Sequence, residues 1–519
     1  VVGSGGLVPQ AWHWAWVRHG ARQLNNRLEK KADRHMTAYD WAAWVAVKAV
    51  VEAVQRTDST DYAQLAAYVR GDDINLKLIE ATKRSGGVIE TVHRNGLVME
   101  LGPDSMITDK PWGRELCEEV GLGERLIGTS EGRRRSFIAR RNRLIPVPEG
   151  FYLLAPARLG PLILSPLFSP LGKLRMAMEP FIPALTTEGS NGKDESLAQF
   201  VRRRLGREAL ERAAQPMVGG IYTADPERLS LQATMPRFQQ MEREHGSVIR
   251  ALVAAASRPN AAEAEASGPR YGLFATLAGG MQELPQRLAE RLPADTIVSG
   301  ERVDGLTRQE DGGWLLGCRS GSSYHADAVC LALPAYAAAT LVSGLSGRLC
   351  SQLEAIEYAS TATVNLSFDA RAIGHRLDGF GFVVPAIEGR TILACTFATR
   401  KFPGRAPEGT VLVRAFVGGA LFPEKLDMDD ETMTRAVVQD LRDLLKLKAA
   451  PREVLVTRHQ SAMPQYQVGH LDRVAEIESC VSELDGLELA GNFLGGPGIP
   501  DCIRMANEAA GRLAAYLLD

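Results

Sequence analysis

Cysteine is scarce in this sequence and poorly placed for cross-linking. There are seven cysteines in 519 residues, an odd number with no Cys-x-x-Cys pair, which argues against a disulfide framework and for a reducing compartment. The nine histidines show no metal-ligand spacing such as His-Glu-x-x-His, so no metal is expected. Charge of one sign is missing too. A formal net charge of -2 gives no global pull toward nucleic acid or an anionic membrane. No internal repeat is visible, which argues against a solenoid or propeller. No signal peptide and no initiator methionine stand at the start. The expectation is a cytoplasmic chain lacking a few N-terminal residues or cut from a longer frame. The longest apolar stretch, Phe151 to Pro183, is broken by prolines and carries Arg158, Lys173 and Arg175. Each proline removes a backbone donor that lipid cannot replace, so this is no spanning helix. Its plain reading is buried loop and short helices. Its sharper reading is a surface that dips into a membrane interface or lines an apolar cavity.

What is present is enough for large cores: 45% apolar and 24% charged residues, in a length that suggests roughly two to four domains. The chain opens with VVGSGG, two β-branched residues running into glycines. Five of the seven tryptophans lie in the first 44 residues, and Thr37 to Val54 and Asp61 to Val69 read as helices. The character changes at Leu76. LKLIEA reads as a short strand ending in Glu80. GGVIETVHRNGLVMELG reads as a hairpin turning at Asn95-Gly96. Helices are then expected to dominate to about residue 215, interrupted by the loop Thr186 to Ser196, with a further exposed loop at Arg258 to Pro269. Strands follow in RVDGLTRQ, WLLGCRS and DAVCLALPA, and Ile356 to Val417 is strand-rich. The chain closes with strand LELAG, a glycine-rich loop, and a helix from Asp501 to Leu518 with Ile503, Ala506, Ala510, Leu513 and Leu517 as its apolar stripe.

A dinucleotide site needs glycines for close backbone approach, a helix N-terminus aimed at the pyrophosphate, and an acid ending the second strand. Gly3, Gly5 and Gly6 supply the first. The third glycine of the motif falls at Val8, and Glu80, the strand-end acid, comes far beyond the usual ~20 residues. Downstream, Glu80 is followed by Arg84 and the pair Gly86-Gly87, which together resemble the second-strand signature of flavin oxidoreductases with a glycine doublet; a plain strand–turn–hairpin is the alternative. At the other end of the chain, Gly495, Gly496 and Gly498 permit close approach. Asp501 reads as the N-cap of the last helix, whose positive end at Ile499 would face an anion.

With these motifs in hand, the chain from Leu76 to Asp519 resembles the protoporphyrinogen oxidase family, including its bacterial coproporphyrinogen-oxidising relatives. ELGPDSMITDKPW, RRRSFIARRNRLIPVPEGFYLLAP, QPMVGGIYTADPERLSL, LDGFGFVVP and GNFLGGPGIPDCI resemble that family's motifs and occur in the same order. The resemblance implies an α/β fold: a Rossmann-like FAD-binding domain of the glycine-doublet type, a mixed-sheet substrate domain and a helical domain of membrane-binding type. The domains are then 1–8, 76–111, 271–345 and 485–519 for FAD, 112–215 for the helical domain, and 216–270 with 346–484 for substrate. It implies FAD as cofactor and oxidation of protoporphyrinogen IX or coproporphyrinogen III to the porphyrin in heme biosynthesis, with dioxygen as acceptor and no side-chain acid or base. Arg135 is implied as the propionate contact, although Arg133, Arg134, Arg140, Arg141 and Arg143 crowd the same stretch and a solvated basic face is the plain alternative. Leu377 and Phe397 are implied as an apolar wall and a stacking aromatic over the macrocycle, against a plain reading as core. Thr361 stands where relatives carry an apolar residue, and Val303 where the superfamily touches adenine through backbone. Peripheral contact with the inner membrane and a homodimer complete the expectations.

Residues 9–75 do not fit that family. On the strength of TAYDWAAWVAVKAVVEAVQRTDSTD they resemble the C-terminal part of a periplasmic solute-binding protein. They read as a tolerated insertion, as a substitute helix after Pro9, or as a fusion or assembly error that leaves the flavin site incomplete; the last is favoured. Two alternatives to the oxidase follow. One is an impaired chimera that binds porphyrin without retaining FAD. The other is a different flavin enzyme, an amine oxidase or desaturase.

Overall fold

Asn95 and Gly96 both take positive φ, 51° and 75°, the turn chemistry that lets two twisted strands meet. Strands Thr91–Arg94 and Leu97–Glu100 therefore pair antiparallel, with Arg94 opposite Leu97 and Thr91 opposite Glu100. The hairpin is present as its alternation predicts. The computed structural model describes residues 76–130, 135–185, 194–256, 274–310 and 312–518. Gly3, Gly5, Gly6, the segment 9–75, the loop Arg258 to Pro269 and most of Thr186 to Ser196 lie outside the described residues.

The described residues fall into two compact units. The smaller contains residues 76–83 and 290–302. Its strand Leu78–Glu80 runs parallel to Ile297–Ser299 with Glu80 opposite Ser299, so the strand expected to end in Glu80 is formed. Lys77 Nζ donates to the Asp295 carbonyl at 2.7 Å and ties the start of that pair.

The larger unit is organised by a seven-stranded sheet. Its strands run in the order Glu453–Pro464, Tyr358–Asp369, Thr410–Gly418, Ile392–Thr396, Gly381–Val383, Ser136–Arg140, Arg143–Pro146. All neighbours are antiparallel except Gly381–Val383 with Ser136–Arg140. Tyr358–Asp369 shows why it sits centrally. Ala362, Val364, Leu366 and Phe368 alternate onto one fully buried face and pack with Met433, Val437 and Leu441 of helix Asp430–Leu445. Asp429 caps that helix by accepting from the Thr432 N–H at 2.7 Å. The other face carries Thr363, Asn365 and Ser367, which are also buried and therefore need partners. They find them in backbone. Thr363 Oγ1 donates to the Leu101 carbonyl at 3.2 Å and Asn365 Nδ2 to that of Glu100 at 3.1 Å. The end of the hairpin is thereby fixed to the sheet.

The same unit holds the meander Val303–Arg308, Trp314–Cys318, Ser323–Ala326 and the parallel pair Val329–Leu331 with Leu487–Leu489. All seven cysteines are unpaired.

Two expectations fail. The helices expected up to about residue 215 are interrupted by strands Leu126–Gly128, Ser136–Arg140, Arg143–Pro146, Phe151–Tyr152 and Ala155–Pro156, and resume only at Leu159. Ser136–Arg140 is buried throughout its first four residues. It turns at Arg141, φ 56°, and its parallel partner lies far along the chain, so no local pattern announces it. The apolar stripe assigned to the last helix is also wrong. The buried positions are Asp501, Met505 and Ala509, whereas Ala506, Ala510 and Leu517 are exposed.

The helical region from Leu159 to Ala256 is pinned by one buried pair. Arg204 and Glu179 are both fully buried. Arg204 donates to Glu179 and to the Ile182 carbonyl, while Glu179 accepts from the Ser247 hydroxyl and the N–H groups of Val248 and Ile249. That carboxylate sits at the N-terminus of helix Val248–Ala256, where the helix dipole favours it. Removing one member strands the other charge, at a cost of about 3–5 kcal/mol. Arg204→Ala is therefore expected to lose that much stability in urea denaturation, and Arg207→Ala, an exposed neighbour, less than about 0.5 kcal/mol.

Candidate active site

The glycine doublet forms a tight turn in the larger unit. Gly86 and Gly87 have φ of 105° and 55°. A Cβ on Gly86 would lie 2.9 Å from Pro285, whereas one on Gly87 would meet nothing within 4 Å. One glycine is needed for internal packing; the other leaves backbone open to an approaching group. Arg84 holds the turn. Its guanidinium donates to the carbonyls of Ser85, Gly87 and Ile89 at 3.2, 2.6 and 2.8 Å and pairs with Glu90 at 3.1 Å. Its charge is thus directed at backbone carbonyls. Glu80 belongs to the smaller unit, where its carboxylate accepts from the Thr82 hydroxyl at 3.2 Å.

The C-terminal glycine loop follows strand Leu487–Leu489. Gly496 has φ 135°, and a Cβ there would lie 2.6 Å from the Asp501 carboxyl carbon. Asp501 is not the N-cap expected of it. The helix begins at Ile499, because Pro500 has the fixed φ that suits a first turn, and Asp501 falls inside that turn. Its buried carboxylate is held by Lys110 Nζ at 2.7 Å to both oxygens. Gly498 precedes the helix and its carbonyl accepts from the Cys502 N–H at 3.0 Å. Ile499 packs on the cluster of Met106 and Cys117. Tyr466 reaches the loop from a distant strand end. Its hydroxyl accepts from the Gly496 N–H at 2.8 Å and donates to the Asn492 carbonyl. Its ring stacks on His470, with centroids 4.2 Å apart and planes 11° apart. Val303 opens its strand opposite Cys318, beside a register shift before Gly305.

On the sheet, three of the expected substrate contacts share one neighbourhood. Arg135 stands at the open end, paired with Asp378 at 3.0 Å with both side chains about half exposed. Such a pair is worth roughly 0–1 kcal/mol, so a substrate carboxylate can compete for the guanidinium. Its carbonyl accepts from the Phe380 N–H at 2.9 Å, and the Phe380 carbonyl accepts from the Phe397 N–H at 2.8 Å. Phe397 is fully buried, with His375 and Phe382 at 6.2 and 5.9 Å between ring centroids. Leu377, 2% exposed, is held at φ 50° with its N–H donating to His375 Nδ1 at 3.0 Å. A leucine in that region costs of order 1–3 kcal/mol and persists only where its surroundings demand it. Thr361 lies on the central strand between Gly418 and His459. Gly418 lines a narrow crevice with Gln215, Gly219, Thr223 and Leu393. This crevice runs beside helix Gln215–Tyr222, which follows the π-helical turn Leu210–Ala214, a distortion common at functional sites.

Sequence reading missed the buried charges between these parts. Asp104 pairs with Lys401 at 3.0 Å. Burial alone would raise its carboxyl, but the charges of Lys401 and Arg414 hold it well below the usual carboxylate range. Arg414, itself buried, donates to the carbonyl of Leu101 at 2.9 Å and to that of Gly102. His459 Nε2 lies 2.9 Å from the Leu101 carbonyl. Lys110 and Tyr466 were missed as well. Their partners are distant in sequence, and no spacing signals them. Among the described residues, no cluster of metal-binding side chains forms and no helix is long and apolar enough to cross a membrane.

A family described as flavin containing amine oxidoreductase matches residues 68–514. The coproporphyrinogen III oxidase of Bacillus subtilis is 34% identical over 445 residues, 86% of this chain and 92% of that protein. The chloroplastic protoporphyrinogen oxidase of Nicotiana tabacum is 30% identical, covering 85% and 82%. A crystal structure from Exiguobacterium sp. 255-15, provisionally assigned as a protoporphyrinogen oxidase, superposes with a TM-score of 0.76 at 29% identity over 91% of this chain and 96% of that one. A reduced UDP-galactopyranose mutase, 13% identical with a TM-score of 0.63 over 85% and 90%, shares the fold. The fold is that of the flavin amine oxidases, and the resemblance drawn from the motifs is borne out.

His470 gives the site region a pH signature. Burial, reinforced by the Arg473 charge, pushes its imidazole from 6.5 down to about 4. The unfolded chain then binds the proton first, so the stabilisation is complete above about pH 6.5 and lost as the pH falls toward 4. His470→Phe keeps the stack on Tyr466 and removes the titration. Urea midpoints across that window are expected to fall less steeply in the variant than in the wild type, by on the order of 2 kcal/mol between the two ends.

Proposed function

The chain belongs to the flavin containing amine oxidoreductase family, and from that premise we propose that it oxidises a porphyrinogen to the porphyrin in heme biosynthesis, with FAD as cofactor. When bound, FAD supplies the two-electron acceptor for a bridging methylene of the macrocycle. The observation that carries the reading is the near-full-length similarity to a coproporphyrinogen III oxidase. It makes coproporphyrinogen III the first substrate to test and protoporphyrinogen IX the second.

The chain's own residues have complementary tasks. Gly86 and Gly87, in the turn that Arg84 staples, give close backbone approach for the cofactor's phosphates, and Gly498 at the start of the last helix offers a positive helix end for the anionic N1–C2 edge of a reduced flavin. Glu80 suits ribose hydroxyls, and Val303 offers backbone to adenine. Arg135 meets a propionate through its guanidinium fork. Leu377 and Phe397 give the apolar side of the substrate site, and Thr361 places a hydroxyl beside the crevice. No side chain needs to act as nucleophile, since the redox work is the cofactor's and the protein orients and desolvates. The division into FAD, helical and substrate domains follows the boundaries read from the sequence.

Dioxygen is the proposed acceptor, with hydrogen peroxide as product, and a cytoplasmic homodimer the proposed state. Peripheral membrane contact is supported by the exposed Ile163, Leu164, Leu171, Leu174 and Phe181 on short helices of one stretch. An amine oxidase is the second reading, favoured by the family description alone. A substrate panel read by peroxide release separates the two.

With FAD present, the chain should turn coproporphyrinogen III into fluorescent porphyrin. Inactivity toward both porphyrinogens would sink the proposal. A charge-assisted hydrogen bond is worth about 1.5–3 kcal/mol, so Arg135→Ala should raise KM about tenfold or more while kcat changes little. An unchanged KM would remove Arg135 from the site.

A further inference from the structure

One side chain that no motif singles out bonds the C-terminal glycine loop at two points. Gly496, at φ 135°, donates its N–H to the Tyr466 hydroxyl at 2.8 Å. The same hydroxyl donates to the carbonyl of Asn492. One phenol therefore closes the turn across its mouth, as donor on one side and acceptor on the other. The ring has little freedom to move. It is 3% exposed, stacked on His470, and 6.3 Å from the Tyr222 ring between centroids. Its own carbonyl accepts from the Ser230 N–H at 2.8 Å. Tyr466 also lines a narrow crevice with Asp225, Arg228, Glu357, Gln465 and Gln467. It thus stands between this polar crevice and the glycine loop.

We infer that Tyr466 is a positioning residue for the flavin: its hydroxyl sets the shape of the loop Asn492–Gly498 and so the backbone presented to FAD. This rests on the FAD reading above. The loop's glycines allow many conformations, and two hydrogen bonds from a clamped ring select one. Without the hydroxyl, the Gly496 N–H and the Asn492 carbonyl lose their partner, and the loop can reorganise to find others. The cofactor then meets a mixture of loop shapes, and its affinity falls by the fraction that remains competent.

Tyr466→Phe keeps the ring and removes only the hydroxyl. It is expected to raise the FAD dissociation constant about tenfold, read by flavin fluorescence quenching, and to shift the visible flavin band. Tyr222→Phe is the control. It removes a hydroxyl from the adjacent ring, whose bond runs to the Thr234 carbonyl at 3.3 Å, and should leave both readouts within about twofold of wild type. Fluorotyrosine at position 466 retains the hydroxyl and should restore wild-type affinity, which also serves if Tyr466→Phe does not fold. FAD binding by Tyr466→Phe within twofold of wild type, an equal loss in Tyr222→Phe, or no restoration by fluorotyrosine would each overturn the inference. A wild-type chain that takes up no FAD would instead overturn the functional reading on which it rests.

Discussion

Three backbone carbonyls, those of Glu100, Leu101 and Gly102, hold the larger unit together. Asn365 and Thr363 donate to the first two from the central strand, and Arg414 to the second and third from its neighbour. His459 lies at hydrogen-bond distance from Leu101. Buried carbonyls must be paired. Four side chains from three strands of one sheet meet that demand at the end of the glycine-doublet hairpin. A sheet with a buried polar face is expensive to build unless every group is satisfied. Here the expense fixes the turn that would face a cofactor to the sheet that would face a substrate. Gly102 makes the approach possible, since a Cβ there would fall 1.7 Å from the Val88 carbonyl.

The site inherits this rigidity. The doublet turn is stapled by Arg84, the proposed substrate wall by the chain of backbone bonds from Arg135 through Phe380 to Phe397, and the C-terminal loop by Lys110 and Tyr466. In the proposed function none of these side chains is assigned a chemical step. They hold glycines and apolar surfaces in place, as expected of an oxidase whose reactive group is its cofactor. Leu377 at its positive φ is supported by His375, and Gly496 by Tyr466 and Asp501.

What the sequence made legible was local or remembered in motifs. Asn95-Gly96 announced its hairpin because turn chemistry is written in two residues. The strand ending at Glu80 and the closing helix were visible from short apolar runs and glycine punctuation. Ser136–Arg140 was not, because its parallel partner Gly381–Val383 lies hundreds of residues away. The closing helix starts at Ile499, two residues before the expected Asp501, with Pro500 in its first turn. Lys110, the partner of Asp501, is separated from it by 391 positions, and no periodicity carries such a pairing. The function came from ordered motifs, while the partly buried pair Asp104–Lys401 and the buried Arg414 left no pattern of their own.

The visible absorption of the purified chain, before and after anaerobic addition of coproporphyrinogen III, tests the central claim most directly. The account predicts a bound flavin spectrum, intrinsic or after adding FAD, whose band near the flavin maximum bleaches when the porphyrinogen is added. A chain that takes up no flavin, or one whose flavin the porphyrinogen leaves oxidised, would contradict it.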